Sequence, residues 1–127
     1  MTESSTIYHM CPRTAWQTCH GREYYPSTYE KDGFIHATKD PSMLVSIANH
    51  FYKDAPMDEE WVILEIDSSL LKSRVIYEPA APVGDKSSFQ KNEDTVLFPH
   101  IYGTIQEDAV VGIVPMRRDS SNGTFLQ

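Results

Sequence analysis

A chain of 127 residues is the size of one domain and buries enough of its unfolded surface to need no disulfide or metal staple. Hydrophobic residues make up 40% and charged residues 23%, which excludes a disordered or fibrous chain. Eleven Lys and Arg against eighteen Asp and Glu give a net charge of −7, which excludes a surface built to coat nucleic acid or an anionic membrane but leaves room for a small anionic ligand.

No run reaches the ~20 apolar residues of a membrane span. Met1 to Thr6 is polar and lacks the hydrophobic region of a signal peptide. If the stretch between them is helical, Cys11 and Cys19 lie roughly 12 Å apart along the axis, beyond the ~7 Å reach of a disulfide. A reducing, cytoplasmic setting is the expectation.

In chain order, residues 1–5 read as a tail. Ile7 to Met10 reads as a strand covered on both faces, apolar except at His9. Pro12 suits a first helical turn, and Arg13 to His20 reads as a short helix with Ala15, Trp16 and Cys19 as its apolar stripe and Gly21 as its stop. Tyr24, Tyr25, Pro26 and Tyr29 follow without a period. They describe either a loop laid on the core or a lid that stacks on a planar ligand.

Asp32-Gly33 is a turn, because glycine reaches positive φ without steric cost. Phe34 to Thr38 then reads as a short strand. Alternation places Phe34, His36 and Thr38 on one face and Ile35 and Ala37 on the other. Asp40 is an N-cap with Pro41 at the first helical position, and Met43, Leu44, Ile47, Ala48 and Phe51 recur at helical spacing.

Lys53 to Glu60 is an acidic loop, and Trp61 to Ile66 is a central strand by its β-branched and aromatic content. Asp67 begins a turn and Ser68 to Lys72 one helical turn. Val75 to Glu78 is a strand ended by Pro79 and Pro82. Gly84 to Thr95 reads as an exposed loop. Val96 to Phe98 leads into Pro99 to Gly103, where His100 and Tyr102 share a face if the piece is extended. Asp108 to Pro115 is the last strand, and residues 117–127 read as a polar, flexible tail. The expectation is one α+β domain over residues 6–116, with two main helices and about six short strands.

Histidine gains or loses a proton near neutral pH more readily than any other side chain. Several buried imidazoles are costly unless each is hydrogen-bonded. His9, His36 and His100 on three extended segments therefore point to one shared polar cleft. Thr38 and Tyr102 stand beside them, with Glu78 or Glu65 as acid or base. Any one of these histidines alone fits a satisfied core position equally well. Three imidazoles also allow a zinc-type hydrolase, although no HxH or HExxH pair is present. Cys11 at a helix amino terminus is either an activated thiolate or a small apolar filler. Phosphate-cradling glycine loops are absent from the sequence.

Taken together, Ile7-Tyr8-His9-Met10-Cys11, Trp16, Asp32 to Thr38, Asn49-His50-Phe51-Tyr52, Leu64 to Asp67, Tyr77-Glu78, Pro99 to Gly103 and Asp108 to Val111 resemble the family catalogued as domain of unknown function 952. The resemblance runs from about Thr6 to Met116. It implies an ADP-ribosyltransferase-like fold, a split β-sheet whose halves form a cleft with helices beside it. It also implies NAD or a related ribonucleotide as candidate substrate. In that superfamily a first-strand histidine or arginine contacts the ribose and phosphate region, and His9 matches it. Gly33 to Thr38 falls where the second motif lies. No late glutamate stands in the superfamily's motif: Glu107 precedes the final strand, Glu78 ends an earlier one, and His100 and Tyr102 take the late, cleft-facing place.

The roles that follow from the resemblance are these. His9 and His36 bind phosphate and ribose, Thr38 adds a hydrogen bond, His100 is acid or base, and Tyr25 or Tyr102 stacks on the base. No resident cofactor is implied beyond NAD as substrate. The alternatives are a non-catalytic module for a small nucleotide-like ligand, a metal-dependent hydrolase using the three histidines, and a purely structural domain.

Overall fold

The computed structural model describes residues 5–19, 23–79, 81 and 97–126. Six of its strands form two antiparallel three-stranded sheets. In the first, β1 (Thr6–Pro12) and β6 (Val110–Pro115) flank β3 (Trp61–Asp67). In the second, β2 (Ile35–His36) and β4 (Arg74–Pro79) flank β5 (Leu97–Tyr102). The sequence reading that made Trp61 to Ile66 a central strand agrees with this order.

A backbone bridge joins the two sheets. Tyr8 and Thr38 exchange backbone hydrogen bonds of 2.8 Å in each direction, so β1 lies against the segment that follows β2. Across this join the strands run β6-β3-β1-β2-β5-β4. The join brings His9 of β1, His36 of β2 and His100 of β5 into neighbouring positions, although 91 residues of chain separate the first from the last.

Local chemistry explains the short elements. Gly33 takes φ 83° and donates its N–H to the Tyr29 carbonyl at 2.7 Å, ending the single turn α2 (Tyr29–Asp32) and aiming the chain into β2. Asp40 accepts the Ser42 N–H at 2.9 Å, starting a 3-10 turn over Pro41–Met43 that runs into α3 (Leu44–Phe51). Leu44, Ile47, Ala48 and Phe51 form the buried stripe of α3, as their spacing predicts. In α1 (Arg13–Cys19), however, only Trp16 is fully buried. Ala15 and Cys19 pack at the margin.

Two apolar clusters hold the layers together. One gathers Ile7, Cys11, Ile35, Val62, Leu64, Ile66 and Ile101 between the sheets and α1. The other gathers the stripe of α3 with Met10, Trp61, Phe98 and Phe125. Ile35 and Ala37 face the first cluster, as alternation requires, so His36 and Thr38 are turned the other way.

The carboxy-terminal segment corrects the sequence reading. Arg117–Arg118 (β7) and Phe125–Leu126 (β8) pair as a hairpin where a flexible tail is expected. Phe125 is 1% exposed and packs edge-on against Trp61, with ring centroids 6.0 Å apart. Asn49 of α3 grips the Phe125 backbone twice, accepting its N–H at 2.6 Å and donating to its carbonyl at 3.2 Å. Arg118 donates to the carbonyls of Lys53, Ala55 and Pro56. One buried ring and a guanidinium that donates to four backbone carbonyls outweigh the polar composition around them.

The strand around Val75 to Glu78 begins one residue earlier, at Arg74, and the first strand extends to Pro12. Asp108 and Ala109 belong to a 3-10 turn that precedes β6. The expected stop at Gly21 and the expected loop over Gly84 to Thr95 lie outside the described residues. Among the described residues no helix is long and apolar enough to cross a membrane.

Candidate functional site

The join between the sheets opens into a hollow of about 490 Å3, its mouth included. His9, His36 and His100 all line it, together with Thr38 and the rings of Tyr8, Phe51, Tyr52 and Phe98. Antiparallel pairing places His36 directly opposite His100. Their ring centroids are 5.6 Å apart.

Each imidazole has a defined partner, and the partner fixes where its proton sits. His9 is buried. Its Nδ1–H donates to the His36 carbonyl at 2.7 Å, because a carbonyl only accepts. The lone pair is then on Nε2, which takes the hydroxyl proton of Tyr24 at 3.3 Å. Burial lowers His9 to about 4, so the ring is neutral at physiological pH. With both nitrogens engaged, His9 is a fixed part of the wall rather than a proton carrier.

His36 and His100 differ from it. His36 Nε2–H donates to Asp32 Oδ2 at 2.9 Å, four residues back across the Gly33 turn. Burial holds His36 below its ordinary value, the Asp32 carboxylate works against that, and nearby His100 reinforces it. His100 Nδ1–H donates to Glu78 Oε1 at 2.8 Å, and the Tyr102 hydroxyl donates to the same oxygen at 2.5 Å. Those two donors hold the Glu78 carboxyl below the usual carboxylate range, and the carboxylate in turn raises the Tyr102 hydroxyl. Neither His36 Nδ1 nor His100 Nε2 makes a hydrogen bond among the described residues. The site thus offers two imidazole lone pairs, each on a ring steadied by a carboxylate, which suits proton transfer or hydrogen bonding to a bound molecule.

The sequence-derived candidates do not all converge. Thr38 is buried beside His36 and lines the hollow. Glu78 and Tyr102 stand behind His100 and act on the hollow through it. Tyr102 is thus a partner of Glu78, with its ring tilted against Phe34, and it is absent from the lining of the hollow. Tyr25 is 56% exposed, tilted against Tyr29, and lines a second hollow. Glu65 faces Gly112 across the β3–β6 pair, where a Cβ would collide with its carboxylate, and it is absent from the lining of the hollow. Burial pushes the Cys11 thiol up to about 12, which removes the activated-thiolate reading in favour of the apolar filler. Neither Cys11 nor Cys19 forms a disulfide among the described residues.

Three contributors escape a sequence reading. Tyr24 looks like one loop tyrosine among several, yet it pairs with Ile105 through both backbone hydrogen bonds and delivers its hydroxyl to His9. Asp32 reads only as a turn residue, although its four-residue spacing to His36 across a turn is a legible signal. Phe34 lies over His100 with centroids 4.1 Å apart and planes within 17°, covering one face of that ring.

Among the described residues no group of three or more His, Cys, Asp or Glu side chains is placed to hold a metal ion. The hydrogen bonds explain why: His9 has no free nitrogen, and His36 and His100 each turn one nitrogen toward a carboxylate of a different element.

A family model described as a protein of unknown function, DUF952, matches residues 10–113. The X-ray structure of protein CC0527 from Caulobacter crescentus is similar, with a TM-score of 0.67 at 20% identity over 95% of this chain and 93% of that one. A double mutant of CC0527 matches with a TM-score of 0.67 at 19% identity. At such identity the likeness concerns the fold. No curated protein matches the chain. The family match spans most of the sequence and contains His36, His100 and their carboxylate partners, so this chain belongs to the DUF952 family.

Proposed function

We propose that the hollow between the two sheets binds the nucleoside portion of NAD or a related ribonucleotide, and that the open nitrogens of His36 and His100 accept from it there, either ring able to take the proton of an attacking hydroxyl in glycosyl transfer as nicotinamide leaves. The observation that carries this reading is the cross-strand pair itself: two imidazoles 5.6 Å apart, each backed by its own carboxylate. The named lining supplies aromatic rings, a threonine hydroxyl and imidazoles, but no lysine or arginine. Such a lining suits a base and a ribose, with any phosphates directed to the mouth. The resemblance to ADP-ribosyltransferase-like proteins supports NAD as the first compound to test.

The test is a thermal-shift series with NAD, ADP-ribose and nicotinamide, followed by mass spectrometry of the mixtures. A ligand at about 100 times its Kd stabilises the fold by about 2.7 kcal/mol, which a melting curve resolves. Binding to the native chain but not to His36→Ala supports the reading. No stabilisation by any of the three compounds at millimolar concentration rejects it.

A second reading is a binding module without turnover. It is favoured by Glu78, whose Oε1 already accepts from both His100 and Tyr102 and is thereby held in an orienting role. Binding with no released nicotinamide, and binding that survives His100→Ala, selects this reading over catalysis.

A further inference from the structure

β6 is the last strand of the first sheet, and among the described residues no strand pairs with its outer edge. Its register with β3 is regular from Gly112 to Pro115, and just beyond it the Met116 N–H donates to the Trp61 carbonyl at 2.9 Å. Backbone groups alternate along an antiparallel strand, so Gly112, Val114 and Met116 turn theirs to β3, and Ile113 turns its N–H and C=O outward. Pro115 offers only a carbonyl at that edge, which keeps the open stretch short.

Edge strands are commonly protected by charged side chains, and β6, Val-Val-Gly-Ile-Val-Pro, carries none. Val111 is 61% exposed, Ile113 46% and Val114 39%. Alternation puts Val114 on the opposite face from Ile113, so the rim is apolar and open to water on both faces. Outward backbone groups bordered by exposed branched side chains form a template for one more strand.

The charges at the two ends of β6 select the occupant. Glu107 and Asp108 precede the strand, and Arg117 and Arg118 follow it. Asp108 stands five residues before Ile113 and Arg118 five residues after it. Laid antiparallel on a copy of itself, the strand brings each acidic end to the other's basic end, whereas a parallel copy sets like charges side by side. The chain as a whole carries −7, which opposes self-association, so a local match of opposite charges is needed to orient it.

We infer that the outer edge of β6 docks a second copy of this chain, antiparallel about a two-fold axis at Ile113, so that the two copies share one continuous sheet. Ile113 then exchanges both backbone hydrogen bonds with its own counterpart. The inference is independent of what the histidine hollow holds, because no residue of β6 lines that hollow. Six residues of edge are fewer than the roughly 20–30 a side of a standard interface, so the dimer forms reversibly and with concentration.

Sedimentation velocity of the full chain from about 10 μM to about 1 mM tests it. The expected result is a mass that rises from one chain toward two across the series. Ile113→Lys sets two like charges at the axis and is expected to weaken association about tenfold or more. Val111→Lys, at a more exposed position, gives a second arm should the first variant fail to fold. Asp108→Lys and Arg117→Glu are each expected to weaken association about fivefold, because a two-fold axis counts every pair twice, and the two together are expected to restore it. A chain that stays monomeric at about 1 mM overturns the inference. So does a dimer that a folded Ile113→Lys or Val111→Lys variant leaves intact, or one that the paired charge exchange does not restore.

Discussion

His36 and His100 face each other across an antiparallel strand pair, and the carboxylates that steady them come from opposite directions. Asp32 reaches His36 from the preceding turn, and Glu78 reaches His100 from the neighbouring strand. A turn and a strand far apart in the chain thus converge on one pair of rings, and several measurable consequences follow from the arrangement.

The first concerns acid stability. Burial lowers His9 from 6.5 to about 4. Between those values an unfolded chain takes up a proton that the folded chain refuses. The stabilisation is therefore fully present above pH 6.5 and is lost as pH falls from 6.5 to about 4. The loss amounts to about 3 kcal/mol. His36, also lowered, adds in the same direction. Urea denaturation of the native chain at about pH 7 and about pH 5 is expected to show the drop, and His9→Asn is expected to flatten the slope. A slope unchanged in the variant contradicts this account of His9.

The second concerns Tyr24. Removing its hydroxyl leaves the buried Nε2 lone pair of His9 without a donor. Tyr24→Phe is expected to cost about 1–3 kcal/mol. Tyr25→Phe, at an exposed ring, is expected to stay within about 0.5 kcal/mol of the native chain. Equilibrium unfolding of the two variants side by side separates them.

Glu78 provides a third. Its carboxyl is depressed by hydrogen bonds from Tyr102 and His100, so the stability it contributes is present above the ordinary carboxylate range and is lost as pH falls through its lowered value. Tyr102→Phe removes the first of those donors. The Glu78 carboxyl is expected to titrate at higher pH in the variant, which 13C NMR of the side chain reads directly.

The carboxy-terminal hairpin gives the fourth. Phe125 is buried against Trp61 and pinned by Asn49, so Phe125→Ala is expected to cost about 3–5 kcal/mol, whereas a flexible tail tolerates the change. The midpoint of a urea transition decides between the two.

Much of this architecture is written in short-range pattern. Alternation over Phe34 to Thr38 places Ile35 and Ala37 in the core and turns His36 and Thr38 to the hollow, and helical spacing finds the buried stripe of α3. The elements that escape such reading depend on partners far along the chain. Tyr24 is placed by Ile105, 81 residues away, and no local period announces that bridge. Phe125 sits in a two-residue strand, too short for alternation to show, and its burial depends on Asn49 and Trp61. Tyr25 and Tyr24 are neighbours of the same type, and only the backbone bridge decides which of them enters the core.

The central claim is that His36 and His100 face one ligand together. Selective 15N labelling of histidine, followed by NMR while NAD or ADP-ribose is added, tests it most directly. The account predicts that the ring signals of His36 and His100 move together and saturate at one concentration, while that of His50, outside the hollow, stays still. Rings that remain unmoved by every ribonucleotide in a folded protein, or that respond independently at different concentrations, contradict it.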